Sequence, residues 1–181
     1  MRSRVATLWV SLDGVAEAPE MWAFAYSDAD LMELNGAQMA ASDAMLLGRV
    51  TYQHFAAFWP CQPAGDRIAD YINPTPRYVV SSTLQSVDWQ NSTLLGGNLD
   101  GEIARLKSEP GEAITVVGSP TLARSLLGKG LLDELRLTIA PVVVGGARPF
   151  ADAGTQQALR LADSRVFSSG AVYLAYRPAA N

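Results

Sequence analysis

A chain of 181 residues that is 49% hydrophobic and 18% charged can build one substantial core but not two, so a single domain spanning residues 1–181 is expected. Its formal charge of −4, from 14 basic and 18 acidic residues without a basic run, excludes nucleic acid as a first partner. One cysteine, Cys61, and one histidine, His54, exclude an internal disulfide and a multi-ligand cysteine or histidine metal site, and fit a reducing cytoplasm.

The chain opens with a near-continuous apolar and β-branched run from Val5 to Leu12, which predicts a strand buried on both faces and ended by the turn formers Asp13 and Gly14. This run is too short for a membrane span and lacks a signal-peptide cleavage pattern, so no membrane partner is expected. The loop "VAEAPEMWAFAY" follows, its aromatic residues suggesting a lid. Ser27 with Asp30 three residues on predicts a capping box, and "DADLMELNGAQMAAS" places Leu31 and Leu34 at helical spacing.

"AMLLG" reads as a second strand closed by Gly48, and "RVTYQHFAAFW" as a helix stopped by Pro60. "RYVVSSTL" predicts a third strand, with a weaker one over Thr93–Leu95. A helix over Asn98–Glu109 then lines up Leu99, Ile103 and Leu106 before Pro110-Gly111. Ala113–Val117 is the next strand and Pro120–Gly128 the next helix, with Ser119 placed to cap it and Pro120 at its first position. "LRLTIAPVVVGG" is extended but interrupted by Pro141, which predicts an edge strand or a bulge. "ALRLADSRVFSSGAVYLAYRP" splits at Ser168-Ser169-Gly170 into an antiparallel hairpin. Strands alternating with helices, then a hairpin, predict an α/β fold with a mostly parallel central sheet and antiparallel strands at one side.

In such a sheet ligands settle beyond the carboxyl ends of the strands, where turns deliver helix N-termini. Three turns have this character: "LGRVTY", "VVSSTL" and "VVGSPTL". Each alone is equally well a tight turn or a cap, but a dinucleotide needs several at one rim. The Gly118-Ser119-Pro120-Thr121 turn offers a helix start for a pyrophosphate, while Arg49, Ser81 and Ser82 supply a cation and hydroxyls for a 2′-phosphate. The three-glycine Rossmann spacing is absent, so another α/β arrangement would hold the dinucleotide.

"SLDG", "LLGRVTYQ", "VVSSTL", "VVGSPTLARSLL", "GLLDELRLTIAPVVVGGARPF" and the final hairpin, in this order over nearly the whole chain, resemble the dihydrofolate reductase-like superfamily. The closer resemblance is to the reductase domain at the C-terminus of the riboflavin-biosynthesis deaminase-reductase. The resemblance implies a three-layer fold and an NADPH-dependent reductase, commonly a homodimer, with a pteridine- or pyrimidine-like small-molecule substrate. It assigns Gly48, Arg49 and Thr51 to the turn facing the cofactor, Ser81 and Ser82 to the adenosine phosphate, and Gly118, Ser119, Pro120, Thr121, Leu122 and Ala123 to the stretch that holds NADP.

Asp13 or Asp30 would orient the substrate or relay a proton, with Asp28 and Glu33 competing for the second position and a solvated helix-start charge as the plain alternative for Asp30. Trp9, Trp22, Tyr26 and Trp59 would line a flat heterocycle's pocket or pack in the core. The chain departs from the riboflavin reductases at Val117, where they carry a glutamate, and in "LGRVTYQ", which speaks against the phosphoribosyl pyrimidine as substrate. A nucleotide-binding protein without reductase activity is the alternative function.

Overall fold

The computed structural model describes residues 1–146 and 156–179; the last four residues of the expected "GLLDELRLTIAPVVVGGARPF" segment, 147–150, lie outside them. The strands are β1 (Ser3–Ser11), β2 (Ala44–Gly48), β3 (Arg77–Val80), β4 (Ser92–Leu95), β5 (Ala113–Val117), β6 (Glu134–Ala140), β7 (Leu159–Val166) and β8 (Val172–Pro178). They form one sheet in the order β4-β3-β2-β5-β1-β6-β8-β7. The first six in that order run parallel, and β8 and β7 are antiparallel additions at one side. This is the architecture expected from the alternating strand and helix patterns.

Helices α1 (Ala29–Ala40), α2 (Arg49–Phe58), α3 (Arg67–Ile72), α4 (Leu99–Ser108) and α5 (Pro120–Gly128) cover both faces. Alternation within each strand divides the core accordingly. Leu8, Leu46, Ile114 and Val116 pack with Ile103 and Leu106 of α4 and Leu122, Ala123 and Leu126 of α5. Met45, Leu47 and Val79 face the other way, onto Tyr52 of α2, Ile72 of α3 and Trp89. A third cluster seats Leu31 of α1 against Phe167, Ala171 and Tyr173, with Trp9 and Tyr26 beside it. Because β2 is covered on both faces, all of Ala44–Leu47 is buried, which is why its sequence is continuously apolar.

Four local expectations are corrected. The first helix is capped not by Ser27 but by Asp28, whose side chain accepts the Leu31 N–H, while Ser27 ends a 3₁₀ turn over Phe24–Tyr26. The "RYVVSSTL" strand stops at Val80, because the Ser81 hydroxyl accepts the N–H groups of Thr83 and Leu84 at 3.1 and 3.0 Å and turns the chain out. Helix α3 was not expected; it is six residues long, started by Asp66 accepting from Ile68 and Ala69, and too short to show a period. Pro141 forms neither an edge nor a bulge: β6 is an inner strand that ends at Ala140, one residue before the proline would interrupt its ladder.

Candidate cofactor-binding rim

The parallel strands end at one rim, where β2 and β5 are neighbours with Leu46 opposite Val116. The chain leaves β2 through Gly48 straight into α2, and leaves β5 through Gly118 and Ser119 into α5. Both Gly118 and Ser119 are left-handed, with φ of 57° and 53°. The left-handed step turns the Ser119 side chain away from its own helix. It makes no capping bond to α5, contrary to the expectation from the Ser-Pro-Thr spacing.

Instead the Ser119 hydroxyl accepts the Gly48 N–H at 2.9 Å and donates to Thr51 Oγ1 at 2.7 Å. Three of the expected cofactor residues, Gly48, Thr51 and Ser119, are thereby brought into direct contact across 68 to 71 residues of sequence. Gly48 lies against this node, where a Cβ would stand in ordinary contact, 3.4 Å from Ser119 Oγ and 3.5 Å from its Cβ.

The helix starts divide into two kinds. Side chains of Asp28, Asp66 and Asn98 cap α1, α3 and α4. Helices α2 and α5 have no side-chain cap, and both begin at the β2–β5 rim. A helix cannot satisfy its own first N–H groups, so the backbone donors of Thr121 and Leu122 are offered at this rim together with the positive end of the helix dipole. The side chains of Leu122 and Ala123 are buried in the core, so those two residues serve the rim through backbone and packing only.

Beside the α2 start lies a cavity of about 380 Å³ lined by Arg49, Val80, Ser81, Ser82, Thr83, Leu95, Gly96, Gly97 and Leu99. Arg49 is exposed and donates to Gln53 Oε1 at 3.2 Å; among the described residues it has no carboxylate partner. Ser81 builds the turn with its hydroxyl, whereas Ser82 lies exposed on the cavity wall. Sequence reasoning held Thr83 only within the "VVSSTL" turn and Leu99 only on a helix face, and overlooked Gly96 and Gly97. "LLGGNLD" carries the same strand–glycine–helix signature as "LGRVTY" and "VVGSPTL" and was the available signal.

Of the expected catalytic carboxylates, Asp13 is engaged elsewhere and Asp30 stands apart from the cavity. Asp13 accepts from the Ser11 hydroxyl at 2.6 Å and from the N–H groups of Val144 and Gly145 at 3.1 and 2.7 Å. These bonds, the Ser11 hydroxyl first, hold its carboxyl down at about 2. At neutral pH Asp13 therefore has no proton to pass on, and it latches the turn after β1 to the segment after β6. Asp30 is exposed in the first turn of α1 and lies outside the residues lining the cavity, as do Asp28 and Glu33.

Of the four aromatic residues, Trp59 follows the packing alternative most plainly. It follows α2, a ten-residue helix whose length of about 15 Å carries it away from the rim, and it packs on Phe55 and Phe58. Trp9 and Tyr26 join the α1 cluster, while Trp22 donates its Nε1–H to Glu17 O at 3.0 Å within the "VAEAPEMWAFAY" loop. Among the described residues no group of three or more His, Cys, Asp and Glu side chains could hold a metal ion, and no helix is long and apolar enough to cross a membrane.

Residues 4–173 match the family model described as the RibD C-terminal domain. An uncharacterized protein, YyaP of Bacillus subtilis (strain 168), is 31% identical over 138 residues, covering 74% of this chain and 73% of that protein. Among solved structures, a diaminohydroxyphosphoribosylaminopyrimidine deaminase/5-amino-6-(5-phosphoribosylamino)uracil reductase from Thermotoga maritima aligns with a TM-score of 0.69 at 13% identity, over 98% of this chain and 57% of that one. Dihydrofolate reductase from Enterococcus faecalis, complexed with NADP(H), aligns with a TM-score of 0.63 at 14% identity, over 97% of this chain and 96% of that one. At these identities the two solved structures establish a shared fold: the sheet and its covering helices are dihydrofolate reductase-like.

Proposed function

Since this chain belongs to the RibD C-terminal domain family, we propose that it is an NADPH-dependent reductase that delivers hydride to a C=N or C=O bond of a small heterocycle. The observation that carries this is the pair of uncapped helix starts at one rim beside the Arg49 cavity. The backbone donors of Thr121 and Leu122 would hold the pyrophosphate. Arg49 and Ser82 would hold the 2′-phosphate, within a cavity whose glycine wall, Gly96-Gly97, lets a ligand approach the backbone. When bound, NADPH supplies the hydride; the chain's part is to align the two rings and exclude water.

The substrate proposed is pteridine- or pyrimidine-like but not the phosphoribosyl pyrimidine named for the Thermotoga protein. Val117, at the end of β5, is packed into the apolar cluster of Met45, Leu47 and Tyr52 and presents neither charge nor hydrogen bond to a polar ring. A non-catalytic nucleotide-binding protein is the second reading. It is favoured by the complete engagement of Asp13 with three donors.

Fluorescence titration with NADPH and NADH, followed by a scan of dihydropterins and riboflavin-pathway pyrimidines for NADPH oxidation, tests both. Turnover of a dihydropterin or an unphosphorylated pyrimidine supports the reductase. Tight binding without turnover selects the second reading, and failure to bind either dinucleotide overturns both.

Two further expectations belong to this proposal. The pool of NADPH and the single exposed Cys61 suit the reducing cytoplasm. A homodimer would form along β7, the antiparallel one of the two edge strands, where Val166 is 79% and Leu161 48% exposed. Light scattering on the wild type and on Val166→Lys checks this: a dimer that the lysine dissociates is expected, and a monomeric wild type removes the dimer.

A further inference from the structure

Ser119 holds a backbone conformation that glycine adopts freely and other residues do not. Among the described residues only Ala18, Asn91 and Ser119 are non-glycine with positive φ. The preceding Gly118 shows that glycine serves this turn well, so the serine has to be accounted for by its side chain. That side chain is buried and both of its hydrogen-bonding directions are used.

The partners it joins are the two ends of one helical turn. Gly48 is the N-cap residue of α2 and Thr51 is the third residue of that helix. In a capping box the side chain at the third position reaches back to the N-cap N–H. The threonine is too short to do so. Here the Ser119 hydroxyl stands between them, accepting from Gly48 and donating to Thr51, so that a residue of the β5–α5 turn completes the first turn of α2. Arg49 lies within that turn and lines the cavity, while α5 begins at the residue after Ser119.

We propose that Ser119 is a positioning residue that couples the two halves of the cofactor rim: it sets where Arg49 stands relative to the backbone donors of α5, and so governs discrimination for a dinucleotide carrying a 2′-phosphate. This rests on the rim being the NADPH site. The hydroxyl fixes the spacing between a point charge on one helix and an anion cradle on the next, a spacing that matters to a ligand reaching both and not to a ligand reaching one.

The test is a binding cycle on the full chain, with NADPH and NADH dissociation constants measured by fluorescence for wild type, Ser119→Gly, Arg49→Ala and the double variant. Ser119→Gly keeps the left-handed turn and removes the relay, together with a long 3.4 Å contact of the same hydroxyl to Val117 O. Loss of one hydrogen bond of this kind corresponds to about a tenfold change, and it is expected in the NADPH constant with NADH changed far less. Arg49→Ala should then cost little more in the Ser119→Gly background. Thr51→Val should lower the NADPH preference in the same direction, and Thr51→Ser, which keeps the acceptor, should retain it.

An unchanged NADPH-to-NADH ratio in Ser119→Gly or in Thr51→Val overturns the coupling, including the case where both dinucleotides weaken equally, which marks a merely structural bond. If the wild type binds neither dinucleotide, it is the proposed function that fails.

Discussion

The Asp28 carboxylate accepts the backbone N–H of Ser169 at 2.9 Å, tying the start of α1 to the tip of the β7–β8 hairpin 141 residues later. Its other oxygen caps α1 by accepting from Leu31 N–H at 3.0 Å, and Ser168 donates its hydroxyl at 2.8 Å. These donors, Leu31 first, bring the carboxyl down from 3.8 to about 2. A folded-state value below the unfolded one means that the unfolded chain binds more protons on acidification, so stability rises with pH. The contribution is complete above the unfolded value and is lost as pH falls through about 2. Asp28→Asn, which keeps one acceptor for the cap, should lower Tm by a few degrees at neutral pH and flatten the acid limb of Tm against pH. An unaltered acid limb would remove Asp28 from that role.

Among the described residues lining the cavity, Arg49 is the one cationic side chain. Arg49→Ala is expected to weaken NADPH by about ten- to a hundredfold, the scale of a charge-assisted hydrogen bond, and NADH by less than about twofold. Equal losses for the two would show that Arg49 does not contact the 2′-phosphate.

Gly48 and Gly118 stand at neighbouring turns but should respond differently to alanine. Gly118 has φ of 57°, so a Cβ there strains the backbone although Thr51 Cγ2 is a comfortable 3.6 Å away. Gly118→Ala should cost about 1 kcal/mol or somewhat more in urea unfolding. Gly48 has φ of −77°, which alanine accepts, and its Cβ would meet Ser119 at ordinary contact distance. Gly48→Ala should therefore unfold within about 0.5 kcal/mol of wild type.

Arg77, the first residue of β3, is wholly buried. Its Nη2 donates to the carbonyls of Ile72, Asn73 and Thr75, each at 2.8 Å, and its guanidinium lies 3.4 Å from the Trp89 ring centroid. Burial lowers its pKa to about 10, which leaves it a cation at neutral pH. Arg77→Met keeps the volume and abandons three carbonyls, for an expected loss of about 2–4 kcal/mol. Chemical denaturation followed by tryptophan fluorescence measures it, and a loss below about 0.5 kcal/mol would show that the carbonyls find other partners.

Sequence patterns match the bounds of β2, β5 and α5 to the residue, because each is a short apolar pattern bounded by Gly or Pro: β2 a buried run, β5 an alternating strand, and α5 an amphipathic turn sequence that buries Leu122, Ala123 and Leu126. What they could not reveal was decided across the fold. Ser119 has the spacing of a cap, yet its rotation is set by Gly48 and Thr51 on another strand's turn. Asp13 resembles a free carboxylate until the segment after β6 arrives with two N–H groups from more than 130 residues away. Asp28 wins over Ser27 as the cap because its second oxygen has a further use at the hairpin tip. At the site itself the turns were legible one by one, while their meeting at a single rim depended on strand order, which β2 and β5 reach only after 64 intervening residues.

The uncapped starts of α2 and α5 give the rim an unusual mutational profile. An anion held by peptide N–H groups is held by atoms that every amino acid except proline supplies, so side-chain replacement over Val50, Thr121 and Leu122 leaves that donor set in place. The capacity to hold a phosphate is thus sheltered from substitution, whereas selectivity rests on a few replaceable groups, Arg49 and the two hydroxyls of the Ser119–Thr51 relay. A lineage built on this rim can exchange its substrates and its preferred dinucleotide while keeping the cradle beneath them.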